Sequence, residues 1–105
     1  MNQEIWKQVE KFPNYEVSSY GNIRTWNCRG KKRETPRTIK PSNDQGYFLV
    51  VLHHEGKKTT KRMHRLVLEV FVSECPKGMQ GCHVDGNSLN NRLENLRWDT
   101  FLNNI

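Results

Sequence analysis

The sequence predicts an α+β fold in which short antiparallel strands precede one helix and a second, polar strand pair. Most of the chain alternates apolar and polar residues over short runs bounded by turn residues, which is typical of strands. Only the segment HRLVLEVFV, near residues 64–72, repeats apolar residues at helical spacing, at Leu66, Val67, Val70 and Phe71. The fold class follows from this single change of period.

The first elements are short strands within residues 5–26. Proline and asparagine at 13–14 signal one turn, and glycine and asparagine at 21–22 signal a second turn before the β-like run at 23–26. Residues 27–46 are polar and strongly basic, and we expect a loop there. A short strand is expected at most at residues 38–39, because Pro36 and Pro41 limit its length.

The middle of the chain predicts a β-hairpin followed by the helix. Residues 47–54, YFLVVLHH, form an apolar strand, residues 55–58 turn it, and residues 59–63 return as a basic arm. We therefore divide the chain after residue 46 into an N-terminal β module with a basic loop, 1–46, and a second unit, 47–105.

The last segment predicts a strand, a polar turn, a second strand and the start of a helix. The strands are expected at residues 79–84 and 96–98, with Asp-Gly-Asn turning the chain at 85–87. Thr100 is a candidate N-cap for a helix that begins at Phe101. Because a helix of about five residues is unstable alone, we expect it to continue in the natural protein and interpret the sequence as a fragment.

Positive charge is concentrated in the middle of the chain. The net charge is +6, with −1 on residues 1–23, +9 on residues 24–65 and −2 on residues 66–105. Such a block is the electrostatic footprint expected for a polyanionic partner, although a solvated surface that maintains solubility is the alternative.

Double-stranded DNA is the partner that we expect for this block. A two-stranded ribbon fits the major groove, and a basic loop can follow the phosphates. If about six cations contact phosphate, the log–log salt slope of binding should be about −5. The candidate DNA-binding residues are Arg24, Lys31, Lys32, Arg33, Lys40, Lys57, Lys58, Lys61, Arg62, Arg65, Arg92 and Arg97.

Cysteine usage and hydropathy indicate a cytoplasmic protein without a membrane partner. The three cysteines, Cys28, Cys75 and Cys82, are odd in number and form no CxxC pair, which fits a reducing compartment. No apolar run approaches the ~18 residues of a membrane span, and the N-terminus lacks the apolar core of a signal peptide. A structural zinc site from these cysteines and a histidine is a further hypothesis, but their spacing matches no closed zinc pattern.

The polar ending GCHVDGNSLNNRLENLRW, residues 81–98, is the candidate site. A neutral histidine acts as a general base near neutral pH if an amide oxygen accepts from one ring nitrogen and leaves the other free. Amide and phosphate oxygens also suit a hard divalent cation. These residue types therefore fit metal-assisted phosphodiester hydrolysis.

The same segment resembles the HNH nucleases of phage and intron-encoded homing endonucleases. His-Arg-Leu-Val at 64–67 is similar to the segment that precedes the nuclease motif, and residues 6–24 resemble the small nuclease-associated module upstream of it. The motif residues are His83, Asp85, Gly86, Asn90, Asn91, Arg92, Glu94, Asn95, Leu96, Arg97, Trp98, Thr100 and Asn104.

The resemblance implies a ββα-metal fold and a DNA endonuclease that hydrolyses phosphodiester bonds, with each monomer making a nick. It implies that His83 activates water, that Asn95 orients His83, and that Asn104 and Cys82 are the metal ligands. The expected cation is Mg²⁺ or Mn²⁺. Cys82 stands where the family often has Asp or Asn, and Zn²⁺ is considered because a thiolate is a poor partner for Mg²⁺ and prefers softer ions.

The remaining expectations concern the surroundings of this enzyme and its alternative. We expect a monomer or weak homodimer in the cytoplasm of a bacterial host. Asn90 and Asn91 are expected to hold the turn through bonds to the backbone, and His64 is expected to cap or pack at the helix start. The alternative hypothesis is a non-catalytic DNA-binding module on a degenerate HNH scaffold, which the cysteine at position 82 favours.

Overall fold

A computed structural model describes residues 3–28 and 31–100 of the chain. The N-terminal part forms a four-stranded antiparallel sheet in the order β1-β2-β3-β4. Its strands are β1 (Trp6–Val9), β2 (Phe12–Ser18), β3 (Ile23–Cys28) and β4 (Lys31–Ile39). The predicted antiparallel module at the start of the chain is therefore confirmed.

Strand β4 corrects the loop predicted over residues 27–46. It runs antiparallel to β3, with Arg24 opposite Thr38 and Ile23 opposite Ile39, and the register shifts between Thr25 and Asn27. Pro36 is tolerated because β4 lies at the edge of the sheet, where one side of the strand has no neighbour to receive a backbone N–H. The basic residues of this segment thus lie on a strand.

The rest of the chain builds two smaller sheets around one helix. A three-stranded sheet contains β5 (Ser42–Asp44), β6 (Tyr47–His54) and β7 (Lys57–Arg62), and β8 (Met79–His83) pairs with β9 (Leu96–Thr100). Helix α1 runs from Met63 to Phe71, within one residue of the prediction, and a short 3-10 turn (Leu93–Asn95) leads into β9. Both predicted strand pairs are present.

One apolar core joins the two halves of the chain. Leu66, Val67 and Leu68 on α1 are fully buried and pack in one cluster with residues such as Val17 of the first sheet and Leu52 of β6. The Tyr15 hydroxyl also accepts a hydrogen bond of 3.0 Å from the backbone N–H of His53. The N-terminal sheet and the hairpin therefore pack on the same helix.

The end of the described chain is strand. Thr100, the candidate helix N-cap, is the last residue of β9, and the helix predicted from Phe101 lies outside the described residues. In the part of the chain that the structure covers, no helix has the length and apolar character needed to cross a bilayer.

Candidate active site and nucleic-acid interface

His83 ends strand β8 and presents a half-buried ring held by one amide. Its Nε2 lies 2.8 Å from Oδ1 of Asn91, whose side chain is buried. An amide oxygen only accepts hydrogen bonds, so Nε2 carries the proton and donates it. In a neutral ring with this hydrogen bond, the lone pair on Nδ1 is left available, as a general base requires.

Asn95 does not make the contact expected of it. Its Nδ2 donates to Asp85 Oδ1 at 2.9 Å and to the backbone oxygen of Asn90 at 2.9 Å, while its Oδ1 accepts from the backbone N–H of Asp85 at 3.0 Å. The expectation that Asn95 orients His83, and that Asn91 only holds the turn, is therefore wrong in its geometry. Asn91 makes the contact with the His83 ring, whereas Asn95, the last residue of the 3-10 turn, directs its side chain into the turn at Asp85.

Asp85 is the acceptor around which this turn closes. Its Oδ1 accepts from the Asn87 backbone N–H at 2.7 Å, and its Oδ2 accepts from Asn90 Nδ2 at 2.9 Å. This bond of Asn90 is to a side chain, whereas bonds to the backbone were expected. The hydrogen bond from Asn90, followed by those from Asn87 and Asn95, lowers the pKa of Asp85. The carboxylate is thus ionised at neutral pH, and its oxygens are hydrogen-bonded within the loop that carries Asn91.

Two rings that the motif does not include lie beside His83 at tilted angles, 47° for His64 and 50° for Tyr47. The His64 ring centroid lies 4.7 Å from that of His83, and Tyr47 lies 5.6 Å from His64 and 6.1 Å from His83. Burial lowers the pKa of His64 to about 4, with further contributions from His83, Arg62 and Arg65. His64 packs at the helix start, as expected. Its neutral ring also forms one side of the site beside His83.

Gly81 allows this approach of helix and strand. A Cβ at position 81 would lie 2.6 Å from Cδ2 of His64, closer than carbon atoms approach without a shift. The absence of a side chain at residue 81 therefore makes room for the His64 ring against strand β8. No sequence signal marked Tyr47 as part of the site, since it has the pattern of an ordinary strand residue.

The predicted metal ligands are only partly described. Cys82 is 3% exposed, and its thiol lies 3.6 Å from the backbone oxygen of Gln80. Burial, and then the carboxylate of Asp99, raises the pKa of this thiol. Asn104 lies outside the described residues. Within residues 3–28 and 31–100, no three His, Cys, Asp or Glu side chains are grouped so as to hold a metal ion.

Half of the twelve candidate DNA-binding residues already have partners within the fold. Arg24, for example, donates to Glu16 at 2.7 Å and lies 4.0 Å from the centre of the Trp6 ring. The others with an acidic or aromatic partner are Lys61 (Glu69), Arg62 (Tyr47), Arg65 (Trp98), Arg92 (Glu94 and Tyr20) and Arg97 (Asp99). Their positive charge is partly neutralised or held against a ring.

The lysines form the more available group. Lys31, Lys32, Lys40, Lys57 and Lys58 are exposed and have no carboxylate within ion-pair distance among the described residues. Arg33 donates from Nε to the backbone oxygen of Thr35 at 3.1 Å and keeps its charge. Edge strand β4, with Lys40 directly after it, and strand β7 therefore carry the cations that phosphate contact would use.

Comparison with known proteins agrees with both halves of this arrangement. Residues 4–53 match the NUMOD4 motif, and residues 61–104 match the HNH endonuclease family. The chain is 34% identical over 99 residues to an uncharacterised HNH endonuclease, L245, of Acanthamoeba polyphaga mimivirus, covering 94% of this chain and 28% of that protein. It is 38% identical over 95 residues to YosQ, an SPbeta prophage-derived putative HNH homing endonuclease of Bacillus subtilis, covering 88% and 50%.

A solved structure shares the fold. The DNA endonuclease I-HmuI of Bacillus phage SP01 is 33% identical over 103 residues. Its structure, described as DNA binding and cleavage by the HNH homing endonuclease I-HmuI, superposes with a TM-score of 0.80 over 95% of this chain and 55% of that one. The chain thus spans between 28% and 55% of the length of these relatives. Residues 61–104 thus belong to the HNH endonuclease family and follow a NUMOD4 motif, and 95% of the chain shares the fold of an HNH homing endonuclease.

Proposed function

We propose that this chain is the DNA-cleaving part of a homing endonuclease and that it nicks double-stranded DNA by hydrolysing one phosphodiester bond. The observation that carries the proposal is the bond between Asn91 and His83, since it fixes the tautomer in which Nδ1 can take a proton from water. The structural likeness to a DNA-cleaving homing endonuclease supports the substrate class.

The division of labour follows from the contacts. His83 removes a proton from the attacking water, Asn91 holds the ring, and the walls of His64 and Tyr47 limit its rotation. Asn95 acts at one remove: it closes the turn with Asp85, and its backbone oxygen accepts from the Val84 N–H at 2.8 Å. This fixes the chain directly after the proposed base.

A divalent cation is part of the proposal, and HNH nucleases generally use one. When bound, it would polarise the scissile phosphate and stabilise the leaving oxygen, and Cys82 and Asn104 are the proposed ligands. The buried thiol has to lose its proton to serve as a ligand, which favours Mn²⁺ or Zn²⁺ more than an oxygen ligand would. The choice among Mg²⁺, Mn²⁺ and Zn²⁺ is therefore an experimental variable.

DNA approaches, in this proposal, along the exposed lysines of β4 and β7. The lysines bind phosphates and set affinity, while the partnered arginines shape the surface on which the backbone rests. We propose a monomer or weak homodimer. The phage and prophage relatives support the cytoplasm of a bacterial host as its place of action.

The test is a plasmid-nicking assay of all 105 residues with Mg²⁺, Mn²⁺ or Zn²⁺ and with EDTA, with DNA affinity measured in parallel. His83→Ala should abolish nicking and retain DNA binding. His53→Ala is the matched control, because His53 is an exposed histidine on β6 whose imidazole makes no described hydrogen bond. Equal nicking by the wild type and His83→Ala would exclude this mechanism.

One observation supports a second candidate, a DNA-binding module without catalysis. The protonated, buried thiol of Cys82 is a poor metal ligand, and no complete ligand group is found among the described residues. This candidate predicts the same mobility shift with and without EDTA and no nicking in any of the three metals. The assay above therefore decides between the two.

A further inference from the structure

We infer that the turn at residues 18–21 of the N-terminal sheet positions the loop at residues 84–92, because Gly21 contacts the backbone of Asn91 and so fixes the amide that holds His83. This inference rests on the proposed function for its effect on cleavage. It gives the NUMOD4 segment a part in the geometry of the HNH site in addition to any contact with DNA.

The contact between Gly21 and Asn91 leaves no space for a side chain. Gly21 has a φ of +82°, and a Cβ there would lie 2.5 Å from the backbone oxygen of Asn91, 2.7 Å from its carbonyl carbon and 2.9 Å from its Cβ. All three distances are below van der Waals contact. The two backbones meet directly, so a displacement of one moves the other.

Two neighbouring contacts fix the same register. The backbone N–H of Leu93 donates to the backbone oxygen of Ser19 at 2.8 Å. The guanidinium of Arg92 lies 3.9 Å from the centre of the Tyr20 ring. Residues 91–93 therefore each touch one of the residues 19–21.

The turn that makes these contacts is itself held by the core. Ser18 is fully buried, and its hydroxyl accepts from the backbone N–H groups of Tyr20 at 3.2 Å and Asn22 at 3.1 Å. The Gly21 N–H donates to the Ser18 backbone oxygen at 3.0 Å. A loop with no regular structure between residues 84 and 92 thus rests on a rigid support.

Gly21 is accordingly a positioning residue. A Cβ at this position pushes the Asn91 backbone away, lengthens the 2.8 Å bond to His83 and releases the ring. A misplacement of about 1 Å can lower a catalytic rate about 100-fold. DNA affinity should change little, because the exposed lysines are on β4 and β7.

The experiment compares Gly21→Ala with Gly78→Ala. Gly78 has a similar φ of +80°, but a Cβ added there would meet no atom within 4 Å, so this variant controls for backbone strain alone. We expect Gly21→Ala to lower the single-turnover nicking rate about 10- to 100-fold, with DNA affinity in EDTA within about twofold of wild type. Gly78→Ala should cut at the wild-type rate.

Nitrogen-15 NMR of the imidazoles supplies a readout that does not need cleavage. In the wild type and Gly78→Ala the His83 proton should reside on Nε2, whereas in Gly21→Ala it should distribute over both ring nitrogens. Because the effect passes through the Asn91 amide, Gly21→Ala should lower the nicking rate by a much smaller factor in an Asn91→Ala background.

The outcomes separate the inference from the proposed function. If Gly21→Ala nicks DNA at the wild-type rate and its His83 signal is unchanged, the inference is overturned. A wild type that never cuts would overturn the proposed function, while the NMR comparison would still decide the inference. If Gly21→Ala does not fold, Tyr20→Leu replaces it, because this variant loosens the neighbouring contact at Arg92. A nicking rate several-fold below wild type together with a changed His83 signal supports the inference. A rate and a signal that are both unchanged overturn it.

Discussion

The imidazole of His64 lies with its centroid 4.7 Å from that of His83, and both rings contact Tyr47. Arg62 and Arg65 of the same helical segment add positive charge near His64. Protonation of His64 would place a further cation in a buried site among these groups. The neutral state of His64 is therefore a condition of the native structure.

Acid should destabilise the protein through His64. Its pKa is lowered from 6.5 to about 4 in the folded state, so between these values the unfolded chain binds more protons and the free energy of unfolding falls as pH falls. The contribution is at most about 3 kcal/mol. Urea unfolding at about pH 7 and about pH 4.5, on either side of the ordinary histidine pKa, measures this contribution. His64→Gln should reduce the pH dependence of the free energy of unfolding, whereas the control His53→Gln should not. An undiminished pH dependence in His64→Gln would refute the role of His64.

The two asparagines should separate catalysis from stability. Asn91→Ala should lower nicking about 100-fold by freeing the His83 ring, and Asn91→Asp should retain more activity because it keeps an accepting oxygen. Asn95→Ala should cost about 1–3 kcal/mol of stability, since it removes three hydrogen bonds of the turn at Asp85 and Asn90. Single-turnover nicking and urea unfolding measure the two effects. The prediction fails if Asn95→Ala is as stable as the wild type.

The exposed lysines should control the salt dependence of DNA binding. Each of Lys57→Gln and Lys58→Gln should weaken binding and reduce the magnitude of the log–log salt slope by about 1. Lys77→Gln is the matched control, because Lys77 is exposed in the loop before β8 and outside the proposed interface. Fluorescence anisotropy over a range of salt concentrations measures the slopes. A slope unchanged in both hairpin variants would remove β7 from the interface.

Cys82 should govern metal preference if it is a ligand. Cys82→Asp replaces a thiol with carboxylate oxygens, so half-maximal nicking should require less Mg²⁺ and relatively more Zn²⁺ than in the wild type. Cys75→Ser is the control. The Cys75 thiol contacts the Met79 backbone oxygen at 3.2 Å, and Cys75 is not next to His83 in the sequence as Cys82 is. Metal titrations of nicking that are identical in the wild type and Cys82→Asp would exclude the ligand role.

Most of the fold was predictable because its elements bury apolar residues in a regular period. Helix α1 and strand β6 are examples, with Leu66 and Leu52 fully buried. Strand β4 was not predictable, because KKRETPRTI has no apolar alternation and only half-buries Arg33, Pro36 and Ile39. Its pairing with β3 is a tertiary effect that local sequence does not encode.

The candidate site was predictable in its residue types and only partly in its contacts. The spacing of His83, Asn91 and Asn95 does not tell which amide faces the ring, because that depends on how the turn at Asp85 closes. The support from Gly21 arises between residues 70 positions apart in the chain. Contacts of this range depend on the packing of the two halves and leave no pattern in a single sequence.

Chemical rescue of His83→Ala is the most direct test of the central claim that His83 is the general base. The single-turnover nicking rate of this variant should be at least about 100-fold below the wild-type rate, and added imidazole should raise it in proportion to the concentration of neutral imidazole. The same imidazole should not accelerate the wild type, whose base is already in place. A His83→Ala protein that cuts at the wild-type rate, with or without imidazole, would contradict the claim.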